Sequence, residues 1–136
     1  MTVMSDSNIE IVEGIYEAFG RGDVDAILAV LSEDVNWAAE AETPVAAWHG
    51  TYKGKGEVPS FFVGIATTID VTEFTQISYA SNDTDVMVVS RFGFTSKATG
   101  KSGAMNLHHW WHFEDGKVAH YRGSEDTALV AEVLTP

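Results

Sequence analysis

The sequence predicts an α+β domain in which helices cover one face of an antiparallel sheet. Two observations carry that expectation. Apolar residues recur at three- and four-residue steps in the first third of the chain, whereas the second half is a succession of β-branched and aromatic runs parted by short polar turns. Helices grouped ahead of a strand meander bury both kinds of apolar face by stacking the helices on the sheet. The 136 residues fit a single domain, 1–136, which at this size buries roughly two-thirds of the surface its unfolded chain exposes.

Ser7-Asn8-Ile9-Glu10 has the form of a capping box, and Ile9, Val12, Ile15, Tyr16 and Phe19 then mark one face of a first helix that Gly20 and Gly22 end. Asp23 is placed to cap a second helix with the stripe Val24, Ile27, Leu28 and Leu31, closed by Ser32-Glu33-Asp34, where Asp34 again reads as a cap. Val35, Trp37 and Ala39 alternate as one face of a short strand. Residues 40–48 read as a framing loop and 49–56 as a turn-rich segment. A third helix follows, with Pro59 in its first turn and Phe61, Phe62, Ile65 and Ile69 on its apolar side. Strands are expected over 71–80 and 86–96, then over the two halves of the stretch from Met105 to Gly123, which turns at Asp115-Gly116. Asp126 is placed to cap a final short helix.

Composition narrows the partners. Twenty acidic against eight basic residues give a formal charge of −12, which repels phosphate backbones and anionic lipid surfaces, so neither nucleic acid nor membrane is expected. The chain has no cysteine, hence no disulfide or thiolate metal site, and no run approaching the roughly 20 apolar residues of a membrane span; its start, MTVMSDSN, has no basic segment followed by an apolar run, so a secretory leader is not expected. A cytoplasmic protein is the expectation.

The order of elements, with Tyr16-x-Ala18-Phe19-x-x-Gly22-Asp23, Glu33-Asp34-Val35-x-Trp37, His49-Gly50-Thr51-Tyr52-x-Gly54 and Asp115-Gly116-Lys117-Val118, resembles the SnoaL-like polyketide cyclases. These belong to the wider nuclear transport factor 2-like superfamily, which also holds ketosteroid isomerase. The resemblance implies a cone-shaped, cystatin-like α+β barrel, with a curved antiparallel sheet wrapped around three N-terminal helices and a deep, mostly apolar pocket, often in a homodimer. It implies no cofactor and a small apolar ligand. Its members include cyclases, isomerases, dehydratases, hydrolases and non-catalytic binding domains, so the fold leaves the activity open.

Within the stretch Met105 to Thr127, facing depends on the turn. A two-residue Asp115-Gly116 loop sets His109 opposite Arg122, and a bulged three-residue loop sets it opposite Tyr121. The resemblance favours the bulged form, with Leu107, His109, Trp111, Tyr121 and Gly123 on the pocket face and His108, Trp110, His112, His120 and Arg122 outside. His109 is the first catalytic candidate, able to donate to a developing oxyanion or shuttle a proton. By the resemblance it matches a strand position where the cyclases carry a histidine and the isomerase a hydrogen-bond-donating carboxylic acid. The cyclases' catalytic aspartate would fall on Gly123 and the isomerase's near Ala39. Glu40, adjacent to Ala39, could serve as base only if the strand bends there. Tyr16 is a candidate second donor. Phe19, Trp37, Trp48, His49, Leu107, Trp111 and Tyr121 are candidates for holding a flat ligand. His108 and His112 lie about 13 Å apart along a strand at ~3.3 Å per residue, so they cannot share an ion; a cross-strand pair such as His112 and His120 is the remaining metal reading, set against a hydrated or dimer-interface face, and no metal is expected. Arg91 is unusual in an apolar strand and could face either side.

Overall fold

The computed structural model describes residues 4–136, with side chains from Ser7 onward. The elements are α1 (Met4–Gly20), α2 (Val24–Leu28), β1 (Leu31–Ala39), β2 (Gly50–Lys53), α3 (Val58–Thr68), β3 (Ile69–Ser81), β4 (Asp85–Ser96), β5 (Ser102–Glu114), β6 (Lys117–Ser124) and α4 (Thr127–Leu134). They form one curved six-stranded sheet in the order β2-β1-β6-β5-β4-β3. The sheet stays open, with β2 and β3 as edges. Every neighbouring pair is antiparallel except β1 and β6, which run parallel, so the expected antiparallel sheet holds with that one exception. Among the described residues no helix is long and apolar enough to cross a membrane.

Four local expectations are corrected. The Ser7 capping box lies inside α1, because the helix already runs from Met4. The helix capped by Asp23, whose carboxylate accepts from the Ala26 N–H at 3.1 Å, ends at Leu28. Leu31 to Asp34 belong to β1 instead, because Leu31 pairs with Val118 and the Val118 N–H bonds to the Val30 carbonyl, a long-range ladder that outweighs helical periodicity. Asp34 therefore caps nothing. The turn-rich segment after His49 contains a short edge strand, β2, paired with β1 through Trp37 and Tyr52. Ile69 likewise leaves α3 to open β3 opposite Ser96.

The β5–β6 hairpin takes a register that neither expected turn gives. Asp115 and Gly116 both have positive φ, 51° and 78°, as a two-residue type I′ turn requires, and Glu114 pairs with Lys117. Ala119 is then an extra residue between Phe113–Val118 and His112–His120, and this bulge sets His109 opposite Gly123. Moving the bulge from the turn into β6 preserves the expected facing. Leu107, His109, Trp111 and Tyr121 are buried, while His108 is exposed and Trp110, His112, His120 and Arg122 are half-buried.

The core lies between the sheet and α1 to α3. Trp37 is its centre, with ring centroids 4.1 Å from Tyr121, 5.4 Å from Phe61 and 5.6 Å from Trp111. Offset and edge-on aromatic pairs of this kind add roughly 0.5–1.5 kcal/mol each beyond burial. On α3, Gly64 lets the helix press on the loop before β2, since a Cβ there would lie 3.0 Å from the Ala47 carbonyl.

Candidate functional site

Between the helices and the sheet lies a cavity of about 80 Å³, walled by aromatic and aliphatic side chains. Its polar lining comes from Tyr16, His109, Tyr121, Ser124 and Glu125 in addition to indole edges.

Tyr16 lies on the buried face of α1, one residue beyond Ile15, and reaches across to β5. Its hydroxyl is 2.7 Å from Nδ1 of His109, and the Trp111 indole donates to the same hydroxyl at 3.2 Å. An indole N–H can only donate. Tyr16 accepts from Trp111 and has its own proton free to give to His109 Nδ1; in that tautomer the imidazole proton sits on Nε2. Burial, with a smaller contribution from His108, lowers the His109 pKa to about 3. Burial likewise pushes Tyr16 well above the usual phenol range, even though the Trp111 hydrogen bond acts in the opposite sense. At neutral pH His109 is thus uncharged, and with its proton on Nε2 it is an N–H donor held by its far nitrogen.

Glu125 is the second polar centre, and it was absent from the expected site. The Trp48 Nε1–H donates to its Oε1 at 2.8 Å, and His49 Nε2 meets the same oxygen at 3.0 Å. His49 Nδ1 accepts the backbone N–H groups of Val45 and Ala46 at 3.1 and 3.2 Å, so its proton must sit on Nε2 and point to the carboxylate. The two side chains are 0% and 7% exposed. The other oxygen, Oε2, is buried and has no protein partner among the described residues. A carboxylate clamped through one oxygen and bare at the other has the form of a positioned proton acceptor.

Gly123 separates the two centres. It pairs with His109, and a Cβ there would collide with the Tyr121 hydroxyl, lie 3.1 Å from Tyr121 Cζ and 3.4 Å from His109 Cδ2.

Among the residues expected from sequence, Tyr16, Phe19, Trp37, Trp48, Leu107, His109, Trp111 and Tyr121 line the cavity together. His49 sits behind Glu125 and not in the wall. Glu40 is exposed and outside the lining: the β1–β2 register is regular up to Ala39, without the bend that would turn Glu40 inward. Arg91 faces outward, where it donates to Asn106 at 3.2 Å. The outer histidines flank Trp110, and His112 is tied to Asp85 at 2.6 Å. No group of three metal-binding side chains occurs among the described residues.

A curved, open six-stranded sheet with helices packed on one face is the nuclear transport factor 2-like fold. The SnoaL-like domain matches residues 12–121, and the chain belongs to that family. A nuclear transport factor 2-like protein of unknown function from Burkholderia pseudomallei K96243 is 27% identical, with a TM-score of 0.88 over 96% of this chain and 98% of that one. TerC, co-crystallized with polyporic acid, is 21% identical, with a TM-score of 0.84 over 94% and 98% of the two chains. A candidate polyketide cyclase from Xanthomonas campestris pv. campestris is 20% identical, with a TM-score of 0.82 over 97% and 99%. No curated protein sequence matches the chain.

Proposed function

We propose that the protein is a cofactor-independent proton-transfer enzyme of the cyclase, isomerase or dehydratase type, acting on a mostly apolar small molecule in this cavity. The observation that carries the reading is the Glu125 carboxylate, desolvated, held through Oε1 and bare at Oε2. Glu125 would take a proton from carbon beside a carbonyl. His109, a neutral N–H donor backed by Tyr16, would polarise that carbonyl oxygen as charge develops on it. Trp37, Trp48, Trp111 and Phe19 would hold the ligand by its faces, while His49 orients the base. The candidate polyketide cyclase among the similar structures, and the ligand found with TerC, agree with a reaction or binding of this kind.

The test is α-deuterium incorporation into a panel of small ketones in heavy water, with wild type and Glu125→Gln. Acceleration by the wild type and a loss of roughly 10²- to 10⁴-fold in the variant are expected for a positioned base. Equal rates would refute it. The absence of a carboxylate at Gly123 and Ala39, where the resemblance places the catalytic ones, favours a second reading, a binding domain that has lost catalysis. On that reading ligands bind but neither protein exchanges their protons. A homodimer through the outer sheet face, with Trp110 beside the 48% exposed Met87, belongs to the same proposal. Sedimentation as a monomer at micromolar concentration would refute that part.

A further inference from the structure

We propose that Tyr121 is a second oxygen-polarising donor, set beside His109 by the missing side chain of Gly123, and that the site selects an uncharged carbonyl compound whose oxygen accepts both hydrogen bonds. The proposal rests on the cavity being the site, as above, and gives Tyr121 a role beyond that of an aromatic wall.

The place a Cβ of residue 123 would take is a point on which two groups converge. The Tyr121 hydroxyl overlaps it, and His109 Cδ2, the ring carbon bonded to Nε2, is 3.4 Å from it. The phenol oxygen and the Cδ2 edge of the imidazole therefore both border the space over Gly123, with the two ring centroids 5.3 Å apart. Any side chain at 123 would fill that space and push Tyr121 away. The Tyr121 hydroxyl takes no part in the hydrogen bonds that join Trp111, Tyr16 and His109. Its direction is set by packing, since its ring is wedged 4.1 Å from Trp37 and 4.6 Å from Trp111 between centroids. Burial, then Tyr16 and Glu125, holds its pKa well above the ordinary phenol value, so it stays a donor.

Two neutral donors aimed at one oxygen stabilise negative charge gained by that oxygen during reaction. Ligand charge follows from the rest of the wall, which contains no lysine or arginine and one carboxylate, Glu125. An anionic ligand would bring a second negative charge into an apolar space with no cation to meet it, and the net charge of −12 opposes its entry.

The experiment is infrared spectroscopy of carbonyl-¹³C cyclopentanone bound to the wild type, Tyr121→Phe and Gly123→Ala, with dissociation constants from titration. Loss of one donor should move the bound carbonyl band to higher frequency in both variants and weaken binding roughly fivefold, the scale of one net hydrogen bond. Should Tyr121→Phe fail to fold, Tyr121→3-fluorotyrosine keeps the ring and makes a stronger donor, so the band should move to lower frequency. Cyclopentanone that binds wild type and variants with the same band and affinity overturns the role of Tyr121 alone. Cyclopentanone that does not bind the wild type overturns the cavity as a carbonyl site, and this proposal with it. Cyclopentanecarboxylate should bind at least tenfold more weakly than the ketone, and equal binding would overturn the selection for an uncharged ligand.

Discussion

Acidification from pH 6.5 to 4.5 should remove about 2 kcal/mol of stability through His109 alone. The folded-state pKa is lowered to about 3 from an ordinary 6.5, chiefly by burial. Between those values the unfolded chain binds a proton that the folded chain refuses. Stability present above pH 6.5 is therefore lost as the pH falls, and the loss levels off only near pH 3. The limiting slope is about 1.4 kcal/mol per pH unit. Because the unfolded histidine is already half protonated at 6.5, the first unit yields less than that. Carboxylates such as Asp85, whose pKa is lowered largely through His112, also lose stability in acid, so the measurement must be a difference. Urea unfolding from pH 4 to 7, for wild type and His109→Gln, isolates the imidazole. The wild-type curve should fall more steeply, by about 2 kcal/mol over the two units. Parallel curves would refute a buried neutral His109.

Tyr16→Phe strands the Trp111 N–H and His109 Nδ1 in an apolar wall and should cost roughly 2–6 kcal/mol in urea unfolding, at about 1–3 kcal/mol per orphaned group. Asp126→Ala removes the side chain that accepts from the Leu129 N–H at 3.1 Å and should cost about 1 kcal/mol by the same assay, with the cavity unaffected. Gly64→Ala drives a methyl against the backbone of Ala47 and Trp48; a loss of roughly 1–3 kcal/mol and a red-shifted tryptophan emission, as Trp48 loosens, are expected.

Helical and alternating periodicities made α1, α3 and the long strands legible in the sequence, because each buries one face with the period of its element. What pairing at a distance decides was not legible. Leu31 continues a helical stripe, yet β6 captures it as strand. The bulge at Ala119 cannot be foreseen from the Asp115-Gly116 turn, although two consecutive buried residues, Val118 and Ala119, are its trace. His109 was legible because it alternates in phase with Leu107 and Trp111. Glu125 was hidden among turn and cap residues, Ser124 to Thr127. A signal did exist: Tyr121, Gly123 and Glu125 continue the inward alternation two steps past the tyrosine. The partners that fix the carboxylate, Trp48 and His49, stand 77 and 76 residues away, and only the folded chain brings them together.

The most direct measurement is a crystal structure with a small ketone in the cavity. The account predicts the carbonyl oxygen within hydrogen-bond distance of His109 Nε2, and an α-carbon facing the bare Oε2 of Glu125. A ketone whose oxygen turns away from His109, or whose α-carbon lies out of reach of Glu125, would contradict it.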